Sequence, residues 1–348
     1  MAVMLSIPEG MNEIASNTGF SNITIALSKS SSDEASSNLS PDEINTIKTL
    51  NGILKRKNGA PMVAPQIVAS ATISSEDDHA TKVLVRGITQ ETLDILNIEN
   101  KKSPFSRAYP GQLIIGDKIL ENGFKKRKIN IRNVNLIASS TLVQPGSLWE
   151  SELWIEMTTM MSLYNNIQIS SLWIYADTPN NAKNFELLSN KDPRLSNVRF
   201  INQKEYYETQ IKNISRLMNY ATYIICLLLG LASTLTIYTA TTLVLDGKRK
   251  MLRTLQAIGF PANLILISIL LEIIIIGIAS SCVTSVIAFT FLDGKSFGTS
   301  SFNQSIYAHF SISLGICIAS SFYCTAIAFF GGLFPAIYAI NDKNVSSP

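Results

Sequence analysis

The sequence predicts an α+β extracytoplasmic domain, with two lobes allowed, followed by an all-α membrane domain of three transmembrane helices. Three observations carry this. First, no charged residue lies between Arg216 and Asp246, only Glu272 lies between Arg253 and Asp293, and none lies in 310–340. A helix crosses hydrocarbon with about 20 apolar residues, and each run is longer than that. Second, charge is concentrated upstream: 23 of 29 Lys and Arg, and 22 of 26 Asp and Glu, fall in residues 1–218. So charged and so balanced a segment suits a water-soluble domain with its own core and gives no argument for nucleic acid. Third, that segment mixes strand-like and helix-like stretches without regular alternation.

The elements follow in order. Residues 1–7 are apolar, then Pro8-Glu9-Gly10 interrupts them. Seven residues without a basic start are too few for a signal sequence. They read as the last turns of a first transmembrane helix whose beginning is missing. Residues 23–27 read as a strand, and a Ser/Asn-rich loop fills 28–38. Ser40-Pro41-Asp42-Glu43 is a helix start in which Ser40 caps and Glu43 completes a capping box. Strands are expected at 63–73 and 82–86 around the acidic turn Glu76-Asp77-Asp78, and a helix from Thr89 to Leu96. Pro110-Gly111 turns into a strand at 112–115. Lys125-Lys126-Arg127-Lys128 precedes an alternating strand at 129–137 and reads as a solvated hairpin edge. A strand at 172–176, a helix opened by Thr178-Pro179, and a strand at 198–201 complete the domain, 8–202.

From 203 the pattern turns helical. Tyr206, Tyr207, Ile211 and Ile214 recur at helical spacing, and neither Gly nor Pro intervenes between Asn202 and Gly230. A stalk helix over 203–218 would add about 24 Å beyond the membrane at 1.5 Å per residue. The membrane domain is 219–340, with spans at about 219–245, 264–292 and 310–334 and a tail at 341–348. Its loop 246–263 holds Lys248, Arg249, Lys250 and Arg253 against Asp246, whereas 293–309 holds Lys295 against Asp293. The positive-inside rule places the first loop in the cytoplasm and the large domain outside. Small residues at four-residue spacing mark packing faces: Gly277, Ser281 and Ser285 in the second span, Ser311, Gly315 and Ala319 in the third.

Chemistry-bearing residues are sparse. All four cysteines (Cys226, Cys282, Cys317, Cys324) fall in apolar runs and read as packing residues. His79 and His309 make no metal site. The outer domain has no HExxH, no Gly-rich phosphate loop and no Gly-x-Ser-x-Gly, which argues against an enzyme. Glu272 is an intramembrane carboxylate about 13 Å into its span. Such a group is a functional candidate by default, and a structural contact with Ser268 or a neighbouring helix is the favoured reading beside it.

Two groups of segments carry a family resemblance. Lys250-Met251-Leu252-Arg253-Thr254-Leu255-Gln256-Ala257-Ile258-Gly259-Phe260, with Leu271-Glu272 and Gly331-Gly332-Leu333-Phe334-Pro335-Ala336, resembles the signature of FtsX-like permeases. Residues 112–116, 146–154 and 205–210 are similar to the periplasmic core domain of MacB-type permeases. The resemblance implies an ABC transporter permease of the bacterial inner membrane that binds no cofactor of its own. ATP would be held by a separate cytoplasmic ATPase, with the permease working as a homodimer or permease heterodimer amid membrane lipid, and with a periplasmic adaptor as a further partner. Lys248, Arg249, Lys250, Met251, Leu252, Arg253, Leu255, Ile258, Gly259 and Phe260 would form the ATPase-docking loop, and Met251, Leu252, Leu255 and Ile258 do fall on one helical stripe. Gly331, Gly332 and Pro335 would belong to the packing of the last span. Such relatives relay ATP-driven motion to the outer domain, termed mechanotransmission, in export or efflux. Met251, Gln256 and Tyr338 stand where the family pattern carries charge. A regulator of a cell-wall hydrolase, or a truncated, degenerate permease without transport, stay open as alternatives.

Overall fold

The structure, a computed structural model, describes residues 1–74, 80–99, 109–121, 128–165, 167–301 and 304–341. The acidic turn at 76–78, His79, Lys125 to Arg127 and the tail after Asn341 lie outside the described residues. The elements in chain order are α1 (Ala2–Asn17), β1 (Ile23–Ser28), α2 (Pro41–Lys48), β2 (Val63–Ser74), β3 (Ala80–Ile88), α3 (Gln90–Glu99), β4 (Gln112–Gly116) and α4 (Asp117–Glu121). There follow β5 (Lys128–Ile131), β6 (Val134–Leu142), β7 (Glu152–Glu156), α5 (Met157–Leu163), β8 (Ser171–Tyr175), α6 (Pro179–Ser189), β9 (Val198–Asn202) and α7 (Gln203–Ala257). The chain ends with α8 (Ala262–Leu292), the hairpin β10 (Ser296–Ser301) and β11 (Gln304–His309), and α9 (Leu314–Asn341).

The chain forms two units. The α/β unit comprises Met11–Ile214 and Ser296–Ala308. Its described strands make a nine-stranded mixed sheet in the order β5-β6-β4-β7-β3-β2-β8-β1-β9. Both faces are covered. On one, Val83, Val85, Leu153 and Ile155 pack with Met157 and Met160 of α5, and farther along Leu172 and Ile174 pack with Ile44 and Ile47 of α2 and Phe185 of α6. The two expected lobes are thus two apolar clusters on one continuous sheet. Ser40 caps α2 as its sequence dictates: the Glu43 amide donates to its Oγ at 3.3 Å and its own amide donates to Glu43 Oε2 at 2.8 Å.

Three expectations are corrected. The strand expected at 129–137 is a hairpin, because Arg132 and Asn133 both take positive φ, 50° and 66°, as a two-residue turn between right-twisted strands requires. Asn130 Oδ1 accepts the Asn133 amide at 3.1 Å, and the Arg132 guanidinium lies over the Tyr164 ring at 4.4 Å. Lys128 opens β5, the edge strand. The apolar helix of residues 1–7 continues through Pro8 to Asn17. Within the loop expected at 293–309, Ser296–Ser301 and Gln304–His309 pair as β10 and β11, and Tyr307 packs on the apolar cluster of β3 and β7 while its amide donates to Ser151 Oγ at 3.1 Å.

The helical unit comprises Met1–Gly10, Ser215–Lys295 and the chain from His309 onward. Three helices, Gln203–Ala257, Ala262–Leu292 and Leu314–Ala339, are long and apolar enough to cross a membrane. α7 does not stop at 245. It runs on to Ala257, so most of the expected loop 246–263 is helix and only four residues, 258–261, link it to α8. The last span starts at Leu314, not 310, because the chain before it is engaged elsewhere: the Phe310 amide donates to the Lys295 carbonyl at 3.0 Å and the Ile312 amide to Asp293 Oδ1 at 2.9 Å. It also continues past Pro335. Within α1, Pro8 has no amide hydrogen for the Met4 carbonyl. Thr222 Oγ1 donates to that carbonyl instead, at 3.3 Å.

Gly116, at the end of β4, lies against the Glu150 backbone so closely that a Cβ would collide with its carbonyl group. Gly116→Ala should cost about 3 kcal/mol. Urea unfolding followed by the fluorescence of Trp149, Trp154 and Trp173 measures this, since all three tryptophans lie in the α/β unit and ring-pack on one another.

Candidate functional site

The end of α7 carries the residues the sequence singles out. Lys248 Nζ lies 3.7 Å from Glu272 Oε1 of α8, and Arg249 Nε lies 3.0 Å from Asp246 Oδ1. Glu272 thus meets Lys248 rather than Ser268. Met251, Ile258 and Phe260 are exposed, Ile258 to 72%, while Leu252 and Leu255 are half-buried. The helix ends in a Schellman motif. Gly259 takes φ +107°, its amide donates to the Gln256 carbonyl at 3.1 Å, and the Phe260 amide donates to the Leu255 carbonyl at 3.2 Å. A side chain at 259 would strain that turn, so the glycine fixes where α7 stops.

The packing residues are partly as expected and partly displaced. Gly277 faces Ala328, and the Ser281 and Ser321 hydroxyls share a hydrogen bond of 2.7 Å, so the second-span face is an α8–α9 contact. Gly331 lies against Ile237 and the Thr234 carbonyl of α7, while its neighbour Gly332 lies against Ile273 of α8. Ser285 and Glu272 line a cavity of about 670 Å³ among α7, α8 and α9. Gly315 is a correction: it sits exposed in the first turn of α9, Ala319 is also exposed, and Ser311 precedes the helix. The contact face of α9 is set by Ser321, Ala328, Gly331 and Gly332 instead.

The α/β unit holds a second constellation that sequence reasoning missed. In the parallel β3–β7 pair Leu84 stands beside Glu152 and Arg86 beside Trp154, so Arg86, Glu152 and Trp154 share one face. Arg86 is 1% exposed, Glu34 4% and Glu152 3%. Arg86 donates from Nε and Nη2 to Glu152 at 2.8 and 2.9 Å, and from Nη1 and Nη2 to Glu34 at 3.1 and 2.9 Å. Ser171 Oγ adds a bond to Glu34 Oε1 at 2.7 Å, the Tyr207 hydroxyl one to Glu34 Oε2 at 3.2 Å, and Trp154 Nε1 one to Glu152 Oε2 at 2.8 Å. Trp149 stacks on Trp173 at 5.6 Å and meets the Tyr207 ring edge-on at 6.2 Å. Burial pushes the Glu34 carboxyl upward, but the Arg86 charge and these bonds outweigh it and hold the group below its ordinary value. Burial likewise opposes the charge of Arg86, and Glu152 and Glu34 outweigh that to raise it well above its ordinary value. Removing Arg86 should cost about 3–5 kcal/mol, because the two carboxylates would be left buried and uncompensated.

Residues 212–343 match the family model described as FtsX-like permease C-terminal. That segment is 132 of the chain's 348 residues, so the similarity is to a permease C-terminal region. No curated protein matches the chain. Among solved structures, it is similar to the extracellular domain of the noncanonic ABC-type transporter YknZ from Gram-positive bacteria. That match has 15% identity, covers 52% of this chain and 100% of that one, and has a TM-score of 0.37. It is also similar to the periplasmic region of MacB from Actinobacillus actinomycetemcomitans, at 11% identity over 55% of this chain and 93% of that one, with a TM-score of 0.38.

The matched segment, 212–343, contains every site residue named from the sequence; the Arg86 cluster lies wholly outside it. One signal could have pointed to the cluster: in β3, Arg86 directly follows the apolar run Val83-Leu84-Val85, which Lys82 precedes. Beside it, burial pushes the Glu150 carboxyl to about 7, only partly offset by the Gly146 amide and the Lys118 charge. A carboxyl raised in the folded state contributes stability that is fully present below its unfolded value, near 4.5, and is lost as pH rises through about 7. The urea midpoint of the α/β unit should therefore fall between pH 5 and 8, and Glu150→Gln should flatten that slope.

Proposed function

We propose that this chain is the membrane permease subunit of an ABC transporter, relaying the ATP-driven motion of a separate cytoplasmic ATPase to its α/β domain outside the membrane. The observation that carries the reading is α7. It is one unbroken helix of 55 residues, roughly 80 Å at 1.5 Å per residue. Its first turns belong to the α/β unit and its far end carries Lys248, Arg249, Lys250 and Arg253. A continuous helix resists axial compression and transmits displacement, whereas a loop would absorb it. The positive-inside rule supports a cytoplasmic basic end and an α/β domain on the opposite side.

The basic end of α7 and the turn after it form the docking element. Exposed Met251, Ile258 and Phe260 supply apolar contact, and the four cations steer a complementary acidic groove on the ATPase. The permease binds no ATP itself. It works as a homodimer or permease heterodimer in the bacterial inner membrane, with a periplasmic adaptor as a further partner, in export or efflux.

Affinity co-purification of the full chain from its own membranes tests this. The native chain should retain an ABC ATPase. Ile258→Asp, a solvent-facing change outside the packed helices, should reduce recovery at least tenfold, because a docked carboxylate would be desolvated without a partner. Recovery of an ATPase that is equal for both proteins would remove the docking role of this turn.

A further inference from the structure

The sheet and the first turns of α7 meet on one loop. Gln210 Nε2 donates to the Ser32 carbonyl at 2.7 Å, the Glu34 amide donates to the Tyr206 hydroxyl at 3.0 Å, and the Tyr207 hydroxyl donates to the Glu34 carboxylate. That same carboxylate reaches β3 through Arg86 and β8 through Ser171 and Trp173. The loop around it, Ser30-Ser31-Ser32-Asp33-Glu34-Ala35-Ser36-Ser37, has no large apolar side chain. Glu34 is its deep anchor.

The cluster is asymmetric in charge. Two carboxylates share one guanidinium. If Glu34 leaves, Arg86 keeps both bonds to Glu152 and the remaining pair is balanced. If Arg86 leaves, two carboxylates are buried together. Either carboxylate could leave with the remaining pair balanced. Glu152 is fixed in strand β7, whereas Glu34 sits on a polar loop outside the strands. Glu34 is therefore the member that can move, returning one excess negative charge to water.

We propose that residues 32–34 are a latch: the Glu34 carboxylate locks the root of α7 to β3 and β8, and the latch opens by withdrawing Glu34 while the Arg86–Glu152 pair stays buried. Arg86 is the positioning residue that holds the carboxylate. The purpose of the latch rests on the relay reading: closed, the helix root and the sheet move together; open, motion of α7 is not delivered to the sheet. Its existence is a property of this chain alone.

Hydrogen exchange read by mass spectrometry, on the full chain in lipid nanodiscs without ATPase, tests the latch. Glu34→Gln keeps the side-chain shape and removes the charge. Peptides covering 29–38 and 203–214 should exchange at least tenfold faster, while those covering β3 and β7 keep their native protection. Gln210→Ala touches no buried charge and should act in the same direction by about two- to threefold. Arg86→Met should instead spread the loss into β3 and β7. The latch is overturned if Glu34→Gln leaves 203–214 unchanged, if it loosens β3 and β7 equally, or if Arg86→Met leaves those strands untouched. If the selective pattern holds but the chain recovers no ATPase, the latch stands and the relay reading fails.

Discussion

A guanidinium almost wholly removed from water sets the terms for one face of the sheet. Arg86 cannot sit in β3 unless carboxylates meet it, and those carboxylates need further donors for their remaining lone pairs. The fold supplies these from remote places: Glu152 from the neighbouring strand, Glu34 from a polar loop, Ser171 from β8 and Tyr207 from α7. Three tryptophans fill the space around the charges and exclude water. The result is geometric specificity more than raw stability. Apolar packing would hold the same strands together, but it would not fix the rotation of α7 about its own axis as hydrogen bonds to Tyr206 and Tyr207 do.

The helical unit is held by different means, as its apolar surroundings require. Between helices in lipid there is little hydrophobic gain, so close backbone approach and hydroxyl bonds matter. Adjacent glycines on α9 serve two partners, Gly331 toward α7 and Gly332 toward α8. Hydroxyls bond helix carbonyls across the gap: Thr222 takes the Met4 carbonyl freed by Pro8, and Ser215 Oγ donates to the Pro8 carbonyl at 3.4 Å. A proline that would break an isolated helix is tolerated in α1 because its vacant acceptor has a donor across the gap.

Much of this was legible in the sequence, and the failures have physical causes. Uncharged length alone identifies α7, α8 and α9, and local chemistry alone identifies the Ser40 cap and the Thr178-Pro179 helix start. Charge is no boundary for the end of α7. Lys248 to Arg253 interrupt the hydropathy of the chain but not its helical hydrogen bonding, which continues until Gly259 supplies a positive φ. The small-residue face of α9 was misplaced because four-residue spacing identifies a stripe without saying which stripe meets a neighbour. Glu34, Arg86 and Glu152 are separated by 52 and 66 residues, and no local pattern links a serine-rich loop to two strands. Only the tertiary register of β3 on β7 brings them together.

The β10–β11 hairpin has a consequence for biosynthesis. Tyr307 is half-buried against the apolar core of the α/β unit, yet it is encoded after α7 and α8. When the ribosome has finished β9, the nine-stranded sheet has all its strands but the flank that Tyr307 covers is still open. That flank closes only after two long apolar helices have been made and the chain has returned. The α/β unit therefore reaches its final packing late, with membrane insertion and domain maturation ordered by connectivity rather than by separate folding of an N-terminal half.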